Sequence, residues 1–145
     1  MESETMKKDG CIFCMLANGD IPTNTIYEDN DFRVIMDNAP ATKGHALVLP
    51  KNHYADIYEI DPETLGKAIQ VGQKVIKHAT KVLGCEGYNL LQNNGEVAGQ
   101  TIFHFHLHLI PRYADMDNSQ ILKCPASEGD ADALKKLTEE LKLEA

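Results

Sequence analysis

Apolar residues at Leu65, Ala68, Ile69, Val75, Ile76, Ala79, Val82 and Leu83 are spaced by threes and fours, the period of one face of a helix. They predict a long helix over residues 62–83. Asp61 stands at the N-cap, Pro62 at the first helical position and Gly84 just past the end, the residue types those positions favour. The other elements are short. Residues 25–28 and 32–36 predict two strands joined by the turn Asp29-Asn30-Asp31. Asp37-Asn38-Ala39-Pro40 ends the second. Residues 44–49 form a third strand, apolar in a run and ended by Pro50. Residues 87–92 and 102–110 predict two more, separated by a loop over 93–101. Residues 11–17 predict a short helix, stopped by Asn18-Gly19-Asp20 and Pro22. Residues 134–143 repeat at helical spacing and are expected to cap the fold. The short loops between consecutive strands favour antiparallel pairing, so the class is α+β.

There is no internal repeat and no low-complexity linker. Residues 1–10 are polar and are expected to be a flexible tail, with one domain over 11–145. That length suits a single core. With 14 basic against 22 acidic residues the net charge is −8, and no basic stripe is present. A general nucleic-acid partner is therefore disfavoured. The longest apolar runs are of four to five residues, whereas a membrane span takes about 20. With no apolar leader segment either, the expectation is a soluble, cytoplasmic protein. The four cysteines do not form the dense framework of a secreted scaffold.

The segment with the most chemistry is Phe103-His104-Phe105-His106-Leu107-His108-Leu109-Ile110. Strict alternation in a strand sends Phe103, Phe105, Leu107 and Leu109 to the core and three imidazoles to the other face. Neighbouring imidazoles would then sit about 7 Å apart at Cα, and the outer two about 13 Å. Three in line cannot easily share one metal ion with bonds of about 2.0–2.1 Å. Phosphoryl or nucleotidyl chemistry fits better: a neutral imidazole attacks phosphorus while its neighbours steady the phosphate oxygens. The preceding loop, Asn93-Asn94-Gly95-Glu96-Val97-Ala98-Gly99-Gln100-Thr101, supports that choice. Gly99 lets backbone N–H groups approach a ligand, and Gln100 and Thr101 add donors. Cys11 and Cys14 form a Cys-x-x-Cys pair with three readings: a redox motif, reduced packed thiols, or half of a tetrahedral metal site.

His104 to Ile110 follows His-φ-His-φ-His-φ-φ, and in this the chain resembles the histidine triad (HIT) family of nucleotide hydrolases and transferases. Gly99-Gln100-Thr101, Cys11-Ile12-Phe13-Cys14, Tyr27-Glu28-Asp29, the stretch Gly44-His45 to His53, and Asn93-Asn94-Gly95 stand where the family has them. The resemblance spans residues 11–113 and is greatest to compact bacterial members near the Hint branch. After Arg112 the chain departs from the pattern, and it contains no Trp. The resemblance implies a five-stranded antiparallel sheet with one long helix and short terminal helices, paired as a homodimer. It implies that His106 is the nucleophile, that His108 binds the α-phosphate oxygens and that His45 sets the proton state of His106. Gln100 and Thr101 would hold the leaving-group side, and Asn93 and Gly99 the phosphate. Asp37 would accept from the ribose hydroxyls, and Phe13, Leu16 and Asn38 would border a purine base. Cys11, Cys14, His53 and His104 would bind a structural zinc ion, while the chemistry itself requires no metal. The implied reaction cleaves the α-phosphate bond of an AMP–amine or AMP–acyl conjugate through a nucleotidyl-histidine. A dinucleoside polyphosphate hydrolase and a nucleotide-binding regulatory protein are the alternatives.

Overall fold

The computed structural model describes residues 5–117 and 122–145, so residues 1–4 of the expected tail lie outside it. The elements in order are α1 (Ile12–Ala17), β1 (Thr25–Glu28), β2 (Phe32–Met36), β3 (Ala46–Pro50), α2 (Pro62–Leu83), β4 (Gly87–Leu91), a 3-10 turn (Glu96–Ala98), β5 (Leu107–Arg112) and α3 (Ala131–Leu141). The strands form one antiparallel sheet in the order β1-β2-β3-β5-β4. This is the α+β arrangement that the pattern implied.

Helix α2 begins and ends as its sequence dictates. The Asp61 carboxylate accepts from Thr64 N–H at 2.9 Å, and Gly84 closes the helix in the left-handed region at φ +67°. The apolar face of α2 (Ala68, Val71, Val75) covers one side of the sheet, against Phe32, Val34, Ala46, Val48, Phe105, Leu107 and Leu109. On the opposite side Ile35, Leu47 and Leu49 pack against Phe13 and Ala17 of α1. Strand β3 is thus buried on both faces, which is why Ala46-Leu47-Val48-Leu49 is an apolar run rather than an alternation. Gly44, just before it, sits at φ +93°, and a Cβ there would come within 2.6 Å of the Leu83 side chain. Only glycine suits this close approach.

Several expectations need correcting. The fifth strand starts at Leu107, not at residue 102. Pairing of β5 with β3 runs only from Val48↔Leu107 to Ala46↔Leu109. Before it the chain bends away and bonds instead to the loop after β3, with Phe105 N–H donating to Tyr54 C=O at 2.6 Å. Phe103 lies in that bend and is 48% exposed, so it does not enter the core; Phe105, Leu107 and Leu109 do. Helix α3 starts three residues earlier than expected, capped by Asp130, and has no buried residue. It does not cap the fold, because α2 already closes one face of the sheet and α1 lies on the other. Met6 and Lys8, in the expected tail, are tied down by hydrogen bonds to Asn52 and to the Cys14 thiol.

Candidate active site and metal centre

A cleft of about 510 Å³ opens on the α1 side of the sheet. Its wall brings together His45, His106, His108, Asp37, Asn38, Asn93, Gly99, Thr101, Phe13 and Leu16, which are dispersed from residue 13 to residue 108. The volume is that of a pocket for one nucleotide-sized ligand. Sequence reading found Phe13 and Leu16 but missed most of the apolar lining, including Ile35, Met36, Leu47, Leu91, Ile102 and Ile110. The signal was present: Ile110 lies two residues beyond His108 on the same strand face, and Leu91 pairs with His108 across the ladder. A larger apolar groove of about 640 Å³ runs between α2 and β1. It holds none of the clustered imidazoles, so the chemistry belongs to the cleft.

The imidazoles are fixed by hydrogen bonds that decide where each proton sits. His106 Nδ1 lies 2.7 Å from the backbone carbonyl of His104. A carbonyl only accepts, so Nδ1 carries the hydrogen and Nε2 carries the lone pair. The edge of the Phe13 ring packs against His106, with centroids 4.8 Å apart at 87°. His45 Nδ1 accepts from Ala41 N–H at 3.0 Å, so its hydrogen is on Nε2. That Nε2 lies 2.9 Å from His108 Nδ1, which must then accept, leaving a donating Nε2–H on His108. Asp37 Oδ2 lies 3.5 Å from the same His45 Nε2, and Asp37 Oδ1 accepts from Ala39 N–H at 2.8 Å. Burial keeps the rings neutral. It pulls His108 down to about 4, helped by the charges of His106 and His45. It also lowers His106 and His45, against the opposing effect of the Asp37 carboxylate.

Gln100 departs from expectation. Its side chain is 2% exposed and does not line the cleft. Oε1 accepts from Gly95 N–H at 2.8 Å, while Nε2 donates to Ala55 C=O at 2.7 Å and to Ile102 C=O at 3.1 Å. The amide braces the loop and is not available to a ligand. Gly99, at φ +96°, and Thr101 are the parts of this loop that face the cleft.

Cys11, Cys14, His53 and His104 converge at the base of α1, with their donor atoms within 4.8 Å of one another. The thiol sulfurs lie 3.5, 3.3 and 3.4 Å from the Nδ1 atoms in the pairs Cys11–His104, Cys14–His53 and Cys14–His104. Tetrahedral bonds of about 2.3 Å to sulfur and 2.0–2.1 Å to nitrogen put S and N about 3.6 Å apart. The cluster therefore fits a tetrahedral divalent ion. His104 is fully buried, and its Nε2–H donates to Pro50 C=O at 2.8 Å, so its lone pair is on Nδ1, facing the thiols. The Cys-x-x-Cys pair thus has the partners of a metal centre rather than of a redox motif.

Comparison with known proteins agrees with this geometry. The HIT domain family model matches residues 18–115. A HIT-like protein of Methanocaldococcus jannaschii is 45% identical over 103 residues, 71% of this chain and 79% of its own length. The adenosine 5′-monophosphoramidase hnt1 of Schizosaccharomyces pombe is 43% identical over 102 residues, 70% of this chain and 74% of its own. The crystal structure of a Zn-bound histidine triad family protein from Mycobacterium smegmatis superposes with a TM-score of 0.73 at 35% identity, covering 90% of this chain and 97% of that one.

Proposed function

The chain belongs to the HIT domain family, and on that premise we propose that it hydrolyses or transfers purine nucleotides, cleaving the α-phosphate bond of AMP–amine or AMP–acyl conjugates. The observation that carries this reading is the hydrogen bond from His106 Nδ1 to the His104 carbonyl. It turns an Nε2 lone pair into a nucleophile without any base having to remove a proton first. Nε2 attacks the α-phosphorus and the bond to the leaving group breaks. The departing amine or carboxylate leaves with the electron pair; the amine takes a proton from solvent, and the water that attacks next returns one. Water then attacks the adenylyl-histidine, releasing AMP and restoring the imidazole.

The Nε2–H of His108 donates to the α-phosphate oxygens, where negative charge gathers in the transition state. His45 fixes the tautomer of His108 by donating to its Nδ1, a role differing from the contact with His106 first expected. The Gly99 backbone and Asn93 bind phosphate, and Thr101 faces the leaving group. Asp37 accepts from the ribose hydroxyls, and Phe13, Leu16 and Asn38 border the base.

The metal centre suits zinc, held by Cys11, Cys14, His53 and His104. A zinc ion there supplies structural cross-linking. The ligands pin α1 to the bend before β5, and so hold Phe13 against His106. No step of the reaction runs through it. Homodimerisation is part of the same reading; a particle of monomer mass in sedimentation at micromolar concentration would refute it.

The test is turnover of adenosine 5′-phosphoramidate. The wild type is expected to release AMP, and His106→Ala to lose at least about a thousandfold in kcat. Diadenosine polyphosphate as the better substrate would keep the mechanism and change the leaving group. AMP binding with no turnover of either would overturn the enzymatic reading.

A further inference from the structure

Asp37, His45 and His108 place one donor atom each within 4.8 Å of one another. Such a cluster could suggest a second metal centre. The Ala41 N–H on His45 Nδ1 argues against that, because it leaves His45 Nε2 protonated, with no lone pair for an ion. The cluster is instead a pair of hydrogen-bonded imidazoles backed by a carboxylate. One hydrogen is shared between His45 Nε2 and His108 Nδ1, 2.9 Å apart.

A bound α-phosphate changes the balance. Its negative charge draws positive charge onto the ring that faces it. If His108 takes a second proton, that proton goes to Nδ1, where it meets the N–H of His45 head-on. Two donors now face each other and one needs a new acceptor. Asp37 Oδ2, 3.5 Å from His45 Nε2, supplies it. The other charges around the pair are His106, beside His108, and Arg112 at the end of β5, both of which oppose protonation. Asp37 is the carboxylate acting against them.

We propose that Asp37 is a positioning residue that lets the His45–His108 pair hold a positive charge on the substrate phosphate, in addition to any contact it makes with ribose. This rests on the nucleotide reading above. A carboxylate behind a histidine stabilises the imidazolium without itself taking the proton. The proton comes from solvent on binding and returns to it on product release, so atoms and charge balance over a cycle.

Asp37→Asn is the informative variant, because its amide oxygen can still accept from Ala39 N–H and keep the turn. Two substrates separate the roles: adenosine 5′-phosphoramidate and its 2′,3′-dideoxy counterpart, which has no ribose hydroxyls. The expected result is a loss in kcat of at least about tenfold on both. A loss confined to the ribose substrate, with the dideoxy substrate turned over as by wild type, overturns the proposal. A second readout does not depend on turnover. AMP binding at pH 6, followed calorimetrically in buffers of different ionisation heat, is expected to take up a proton in the wild type and markedly less in Asp37→Asn. Equal uptake in both proteins, or none in the wild type, overturns the proposal. If the wild type binds AMP with proton uptake but turns over no substrate, the enzymatic reading falls and the proposal stands.

Discussion

Replacing Gln100 by Ala removes a side chain that sequence reading assigned to the ligand and the structure assigns to the loop. Three hydrogen bonds are lost, to Gly95 N–H, Ala55 C=O and Ile102 C=O. Each contributes about 1 kcal/mol net. The truncation also leaves a small void at a site that is 2% exposed, although loop groups nearer the surface can recover water. The expected loss is therefore about 3 kcal/mol. In a chain of this size that lowers Tm by roughly 6–12 °C. Gln100→Glu is the harsher change, since it turns a carboxylate toward two carbonyl oxygens that can only accept. Thermal unfolding followed by circular dichroism gives the stability arm. AMP affinity measured well below both midpoints gives the function arm, and for Gln100→Ala it should stay within a few-fold of wild type. A variant that unfolds with the wild type but binds AMP far more weakly would refute the bracing role and restore the amide to the site.

The metal centre and the buried imidazoles give further expectations. Protein purified without a polyhistidine tag should carry one zinc per chain by elemental analysis, and Cys14→Ser should lose it and melt earlier; full zinc content in the variant would sink the assignment of ligands. Stability should fall on acidification. His108 is held down to about 4 against an ordinary 6.5. Between those values the unfolded chain binds the proton and the folded one does not, so folding is favoured at the higher pH. The loss begins as pH falls through about 6.5, is complete near 4, and amounts to something on the order of 3 kcal/mol. Urea denaturation at pH 7.5 and 4.5, in wild type and His108→Asn, checks it, with the variant expected to show the shallower dependence.

What the chain disclosed was what periodicity and spacing can carry. The three- and four-residue spacing of α2 appears as its buried face, and the alternation after His104 appears as two sides of β5. Glycine and proline set the ends of α2. Hydrogen-bond partners were not legible. Gln100 in a glycine-rich loop looks like a ligand donor until Ala55, 45 residues away, accepts from it. Phe103 continued the alternation, but alternation has meaning only while the ladder lasts, and the partner strand stops pairing at Leu107. The leucine stripe of α3 had the right period and no described surface left to cover.

In the histidine segment the spacing suggested phosphoryl chemistry, while the labour was divided among the rings only by the family resemblance. Residues 104, 106 and 108 carry the same ring, spaced by two. What separates them is which nitrogen the surrounding chain occupies. Pro50 C=O takes Nε2–H of His104 and turns its Nδ1 lone pair to the thiols. The His104 carbonyl takes Nδ1–H of His106 and leaves the lone pair on its Nε2. His45 supplies a proton toward Nδ1 of His108 and leaves its Nε2–H as a donor. In the proposed reading one ring is thereby a ligand, the next a nucleophile and the third a hydrogen-bond donor. Burial keeps all three neutral, and backbone carbonyls and one neighbouring imidazole choose the tautomers. The division should therefore persist in variants that alter surface charge. It should fail wherever the acceptor moves, above all at the bend before Leu107, where His104 turns its Nδ1 to the thiols and its carbonyl to His106.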